Sequence, residues 1–122
     1  VLTSAHARAV DILITGWPTM SLGRVVVEGD SMMPTLRAGD RCIVKWGQTA
    51  QVGDIVVARR PDRPELIVVK RVTAIEPDGH WLEGDNTKGS HDSWVFGPVA
   101  SAGILAVVTY RYWPSPRRLF KP

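Results

Sequence analysis

Three short stretches carry side chains whose types and order suit nucleophilic chemistry. The first is Glu28-Gly29-Asp30-Ser31-Met32-Met33-Pro34-Thr35-Leu36, followed by Gly39-Asp40. It presents a serine on a stretch bracketed by a glycine and a proline. Gly29 permits a left-handed backbone or close substrate approach, and Pro34 fixes the exit path. Gly-Asp-Ser also reads as an ordinary turn. A serine hydroxyl needs a base before it attacks a carbonyl. His6, His80 and His91 sit in no triad spacing. A lysine serves only if its pKa falls from about 10.4 toward neutrality, which burial among apolar groups achieves. Lys70 lies inside Leu66-Ile67-Val68-Val69-Lys70-Arg71-Val72. Strand alternation puts it on the face of Val68 and Val72, with Arg71 facing the other way. A snorkelling or edge-strand lysine is the competing reading. The third stretch, Gly84 to Ser93, is a polar loop whose side chains bond locally. Its Ser90 hydroxyl suits the task of orienting a neutral lysine amine, with Asp92 tying the loop down. An ordinary Asx-rich loop is the alternative there.

These residues need elements to position them. From Arg24 onward the pattern is β. The apolar runs are Val25 to Val27, Cys42 to Val44, Ile55 to Val57, Leu66 through Val72 toward Ile75, and Ile104 to Tyr112. Turn chemistry separates them at Ala38-Gly39-Asp40, Val52-Gly53-Asp54, Pro61-Asp62-Arg63-Pro64 and Pro77-Asp78-Gly79. The expected fold is mostly β: a compact, antiparallel domain resembling a distorted barrel. Its expected limits are residues 24–113. Residues 1–23 form an N-terminal segment, with a short helix expected over 4–15, capped by Ser4 and stopped at Gly16. Residues 114–122 form a basic tail that Pro114, Pro116 and Pro122 make a poor helix or strand.

Composition narrows the functional classes. The chain has 122 residues, 44% hydrophobic and 22% charged, with a net charge of +3. That length suits one domain. Four basic residues and no acid fall in 111–122, while the rest carries 11 basic and 12 acidic side chains. The basicity therefore belongs to the tail, and the body lacks the basic stripe of a nucleic-acid binder. One cysteine excludes an internal disulfide framework. No apolar run approaches the ~20 residues of a membrane helix. Cys42 and the three histidines form no recognised metal spacing, so neither a metal nor another cofactor is expected. The expected location is the cytoplasm, with peripheral membrane contact as the alternative.

Taken together and in order, the three stretches resemble the serine–lysine signal peptidase superfamily. Ser31-Met32-x-Pro34-Thr35-Leu36 with Gly39-Asp40 resembles its nucleophile box. Val69-Lys70-Arg71-Val72 resembles its general-base box, and Gly84-Asp85-Asn86 with Ser90-x-Asp92-Ser93 and Gly97-Pro98-Val99 its last box. The resemblance covers residues 24–113. It implies a signal-peptidase-like β domain and a serine endopeptidase with Ser31 as nucleophile and Lys70 as base. Gly29, Ser90 and Asp92 support the dyad or the oxyanion, and Met32, Val68 and Val69 touch substrate. Arg60-Pro61-Asp62-Arg63-Pro64 and Arg111-Tyr112-Trp113-Pro114 resemble the branch that matures nickel-type superoxide dismutase. The implied partner is then the leader of that precursor, with nickel belonging to the substrate. Processing of secreted precursors, or a self-cleaving repressor-like regulatory role, are the alternatives. Three departures stand out. Gly29 replaces a serine that lends a hydroxyl to the oxyanion hole in many members, Trp94 replaces an arginine, and no insertion separates Lys70 from Gly84.

Overall fold

The computed structural model describes residues 6–14, 21–88 and 93–119. The strands are β1 (His6–Ile14), β2 (Ser21–Glu28), β3 (Arg41–Trp46), β4 (Ile55–Arg59), β5 (Ile67–Glu76), β6 (Gly79–Glu83), β7 (Ile104–Trp113) and β8 (Arg117–Arg118). One helical turn, α1 (Ser93–Phe96), and a 3-10 turn at Ser101–Gly103 complete the described elements. Every pairing between strands is antiparallel, in the order β1-β2-β3-β7-β4-β5-β6. β1 also meets β5, at His6 opposite Val68, so six strands close a circuit and β6 extends it as a hairpin from β5. The mostly β, antiparallel architecture read from the sequence is the one observed.

Two expectations need correction. The helix over 4–15 is instead a strand over His6–Ile14, paired along β2. The apolar run Val10 to Ile14 suits either state, and β2 supplies a partner edge that outweighs weak local propensity. The tail also takes part in the sheet: Arg117 and Arg118 lie opposite Arg111 and Tyr110 on β7.

The apolar runs without polar alternation are buried on both faces. Ile55, Val56, Val57 and Ala58 are all buried. Alternate residues of β4, β5 and β7 feed two separate clusters. Val57, Val69, Ala106 and Val108 join Val25, Val27, Met32, Leu36, Cys42, Val44 and Ile55. Val56, Ala58, Val68, Val72 and Val107 join Ala50, Leu82, Phe96 and Val99. The β5–β6 turn depends on Gly79. At φ 139° it adopts a backbone other residues avoid, and a Cβ there would fall 2.7 Å from the Val99 carbonyl oxygen.

Candidate active site

The nucleophile stretch is a turn between β2 and β3. It opens at Gly29, whose φ of 79° lies in the left-handed region. Its ends are closed by Val27, whose N–H donates to Asp40 (2.9 Å) and whose carbonyl accepts from Gly39 (2.8 Å). Within it, Met33 N–H donates to Asp30 O and Leu36 N–H to Met32 O. Met32 and Leu36 are fully buried in the first cluster and staple the turn to the core. Met32, expected at the substrate, is thus packed in the interior. Ser31 beside it is 1% exposed.

Lys70 lies in mid-β5, directly opposite Val56 on β4. Its side chain is the largest of the fully buried ones, at 0% exposure, with Val68 and Val72 buried on either side of it on the same face. The alternation argument therefore placed it correctly inside, not at a snorkelling edge. Val68 and Val69 are themselves core residues, one in each cluster. Any substrate contact from them runs through their backbone.

Gly84-Asp85-Asn86 joins the two stretches. Asn86 donates its backbone N–H to Ser31 O (2.8 Å) and its Nδ2 to Asp30 O (3.1 Å). Asp85 accepts both forks of Arg71: Nε to Oδ1 at 2.9 Å and Nη2 to Oδ2 at 2.7 Å. The Thr35 hydroxyl also donates to Asp85 Oδ2. Arg71 Nη1 reaches on to Gly53 O at 2.7 Å. The residue after Lys70 and a residue four places after Ser31 thus share one carboxylate. Burial works against that carboxylate, but the hydrogen bonds from Arg71 and Thr35 and the guanidinium charge outweigh it, so Asp85 stays below the usual carboxyl range.

Arg71, Asp85, Asn86 and Thr35 are the site residues that reasoning from single side chains passed over. The signal was available: alternation turned Arg71 away from Lys70, and an arginine on a half-buried face requires an acid. Ser90 and Asp92 lie outside the described residues. The helix that follows them, α1, is held from the β4–β5 loop. Arg60, 5% exposed, chelates Asp62 at 2.9 and 2.7 Å and stacks 5.0 Å over the Phe96 ring. Below the nucleophile turn, Asp40 accepts the Arg37 N–H (3.0 Å) and pairs with Arg111 (3.3 Å). Cys42 is inert beside it: burial, then the Asp40 charge, push its thiol up to about 12. Among the described residues no group of three or more His, Cys, Asp or Glu side chains is arranged to hold a metal.

Comparison with known proteins gives consistent results. Residues 7–80 match the family model described as signal peptidase, peptidase S26. Mitochondrial inner membrane protease subunit 1 of Xenopus tropicalis is 36% identical, over 76% of this chain and 71% of its own length. Subunit 2 of Schizosaccharomyces pombe is 34% identical, over 75% of this chain and 64% of its own length. Human subunit 1 is 32% identical, over 75% and 70%. No solved structure matches. These relatives are named for the mitochondrial inner membrane, and that finding overturns the expectation of a cytoplasmic protein. Among the described residues no helix is long and apolar enough to cross one. On the family match and on these relatives, the chain belongs to the peptidase S26 signal peptidase family and is a peptidase.

Proposed function

We propose that the protein is a serine endopeptidase that removes an N-terminal leader from a precursor protein, with Ser31 as nucleophile and Lys70 as general base. The observation that carries this reading is the Asp85–Asn86 bridge. It ties the Ser31 turn to the strand of a fully buried lysine through five side-chain and backbone hydrogen bonds. Burial disfavours the ammonium form, so the amine is available as a base. Neutral Lys70 takes the hydroxyl proton as Ser31 Oγ bonds to the scissile carbonyl carbon. The carbonyl electrons move to oxygen, where backbone N–H donors around Gly29 and Ser31 provide stabilisation. Lys70 returns the proton to the leaving amine as the C–N bond breaks. A water, deprotonated by Lys70, then adds to the acyl carbon; the ester C–O bond breaks and Lys70 returns the proton to Ser31 Oγ, releasing the acid. In this proposal Ser90 has the role of orienting the amine and Asp92 a supporting one, as the resemblance of the last box implies.

The narrower substrate we put forward is the leader of a nickel-type superoxide dismutase precursor. It rests on the Arg60–Pro64 and Arg111–Pro114 segments. Arg60 and Asp62 of the first brace the loop before β5, and Arg111 of the second anchors Asp40. None of the three relatives above is named for that substrate. Intact-mass analysis of the precursor, incubated with wild type or with Ser31→Ala, tests both levels. A single cut at the leader junction by wild type only is the expected result. An untouched dismutase precursor, with cleavage of other leaders, removes the narrower substrate. Cleavage by Ser31→Ala removes the mechanism.

A further inference from the structure

A peptide captured by strand pairing needs a strand edge beside both Ser31 and Lys70. β2, which runs into the Ser31 turn, has β3 on one edge and β1 on the other. β5 has β4 along one edge from Ile67 to Arg71. Its other edge is taken by β6 from Arg71 onward and by β1 at Val68. Val69 and Lys70 lie between those two partners on that edge. His6 is where the strands converge. It lies opposite Glu28, three residues before Ser31, and opposite Val68, two before Lys70.

We propose that β1 is an autoinhibitory strap: it occupies the slot between β2 and β5 that an extended leader must enter, and turnover requires its inner half to lift. This rests on the assignment of Ser31 and Lys70 above. The register supplies the hinge. Pairing of β1 with β2 is regular from His6 to Ala9, shifts between Ala9 and Asp11, and resumes to Ile14. Such a bulge leaves one residue unpaired and bends the strand. The half beside the site can therefore detach while Asp11–Ile14 stays on Arg24–Ser21. The hold on β5 is a single register pair, so release there disrupts little.

The full-length chain carrying His6→Cys and Glu28→Cys tests the strap. Directly opposed strand residues lie within reach of a disulfide. The native Cys42 is buried and does not compete. Oxidation is expected to slow leader cleavage at least about tenfold, a docking equilibrium shifted by that factor, and reductant restores it. Wild type is indifferent to both. A second readout needs neither catalysis nor a known substrate. A labelled peptide of the β1 sequence, residues 6–14, is expected to bind a chain carrying Ala7→Pro, whose own strap is weakened, and not the oxidised lock. Peptide binding with no cleavage by any form sinks the dyad and sustains the strap. Equal peptide binding by locked and Ala7→Pro chains, or unchanged cleavage after oxidation, overturns the strap while leaving the dyad standing.

Discussion

Lys70 is the residue on which the proposed chemistry turns. A lysine ordinarily titrates near 10.4, and burial lowers that value because the charged form loses its hydration. The proposed reaction uses the neutral amine. Cleavage measured as kcat/KM should therefore rise with pH through the lysine pKa and level off above it; a rate that falls over that limb would contradict a lysine base. Asp85 titrates at the other extreme. Its folded pKa is depressed, so its contribution to stability is complete above the unfolded value of about 4 and is lost as pH falls through the folded value. Asp85→Asn should lower stability at neutral pH by about 1–2 kcal/mol, since it replaces a partly exposed, bidentate ion pair. The gap from wild type should close below about pH 4 in denaturant titrations. Activity should fall further than stability, because the same carboxylate aligns the Lys70 strand with the Ser31 turn. Cys42, with its thiol near 12, should resist alkylation until the chain is unfolded.

At the scale of elements, the β4–β5 loop and α1 act as one brace. Arg60→Ala removes both the Asp62 chelate and the stacking on Phe96. A loss of about 1–2 kcal/mol is expected in thermal melts. Arg60→Lys should recover little of it, because an ammonium lacks the planar fork. An unchanged melting temperature would show that the brace carries no weight. The elements differ in how far they were legible. β4 and β5 could be read directly, because β-branched runs bounded by Gly-Asp and Pro turns have few other solutions. The burial of Lys70 followed from alternation alone. β1 could not be read: Val10 to Ile14 fits helix and strand alike, and the deciding partner, β2, is a separate segment that no local pattern joins to it. β8 was hidden by its flanking prolines. The Arg71–Asp85 pair was half visible, since alternation gives the direction of Arg71 but no periodicity joins residues 14 apart on different elements.

Across the described residues, closure of β1 onto β5 turns an open sheet into a circuit whose seam, at His6, lies opposite Glu28, three residues before Ser31, and Val68, two before Lys70. The two core clusters lie on opposite faces of β4, β5 and β7 and fix the register of those three strands. Arg111, Arg117 and Arg118 gather where β8 meets β7, and Arg117 Nη1 donates to Thr35 O of the Ser31 turn at 3.5 Å. The central claim is that this frame serves a serine–lysine dyad. Leader cleavage by Ser31→Ala and by Lys70→Ala, each shown to be folded by circular dichroism, tests it most directly. Both variants should lose cleavage by at least about a thousandfold, as removal of a nucleophile or its base does elsewhere. Wild-type turnover by a folded Lys70→Ala protein would contradict the account.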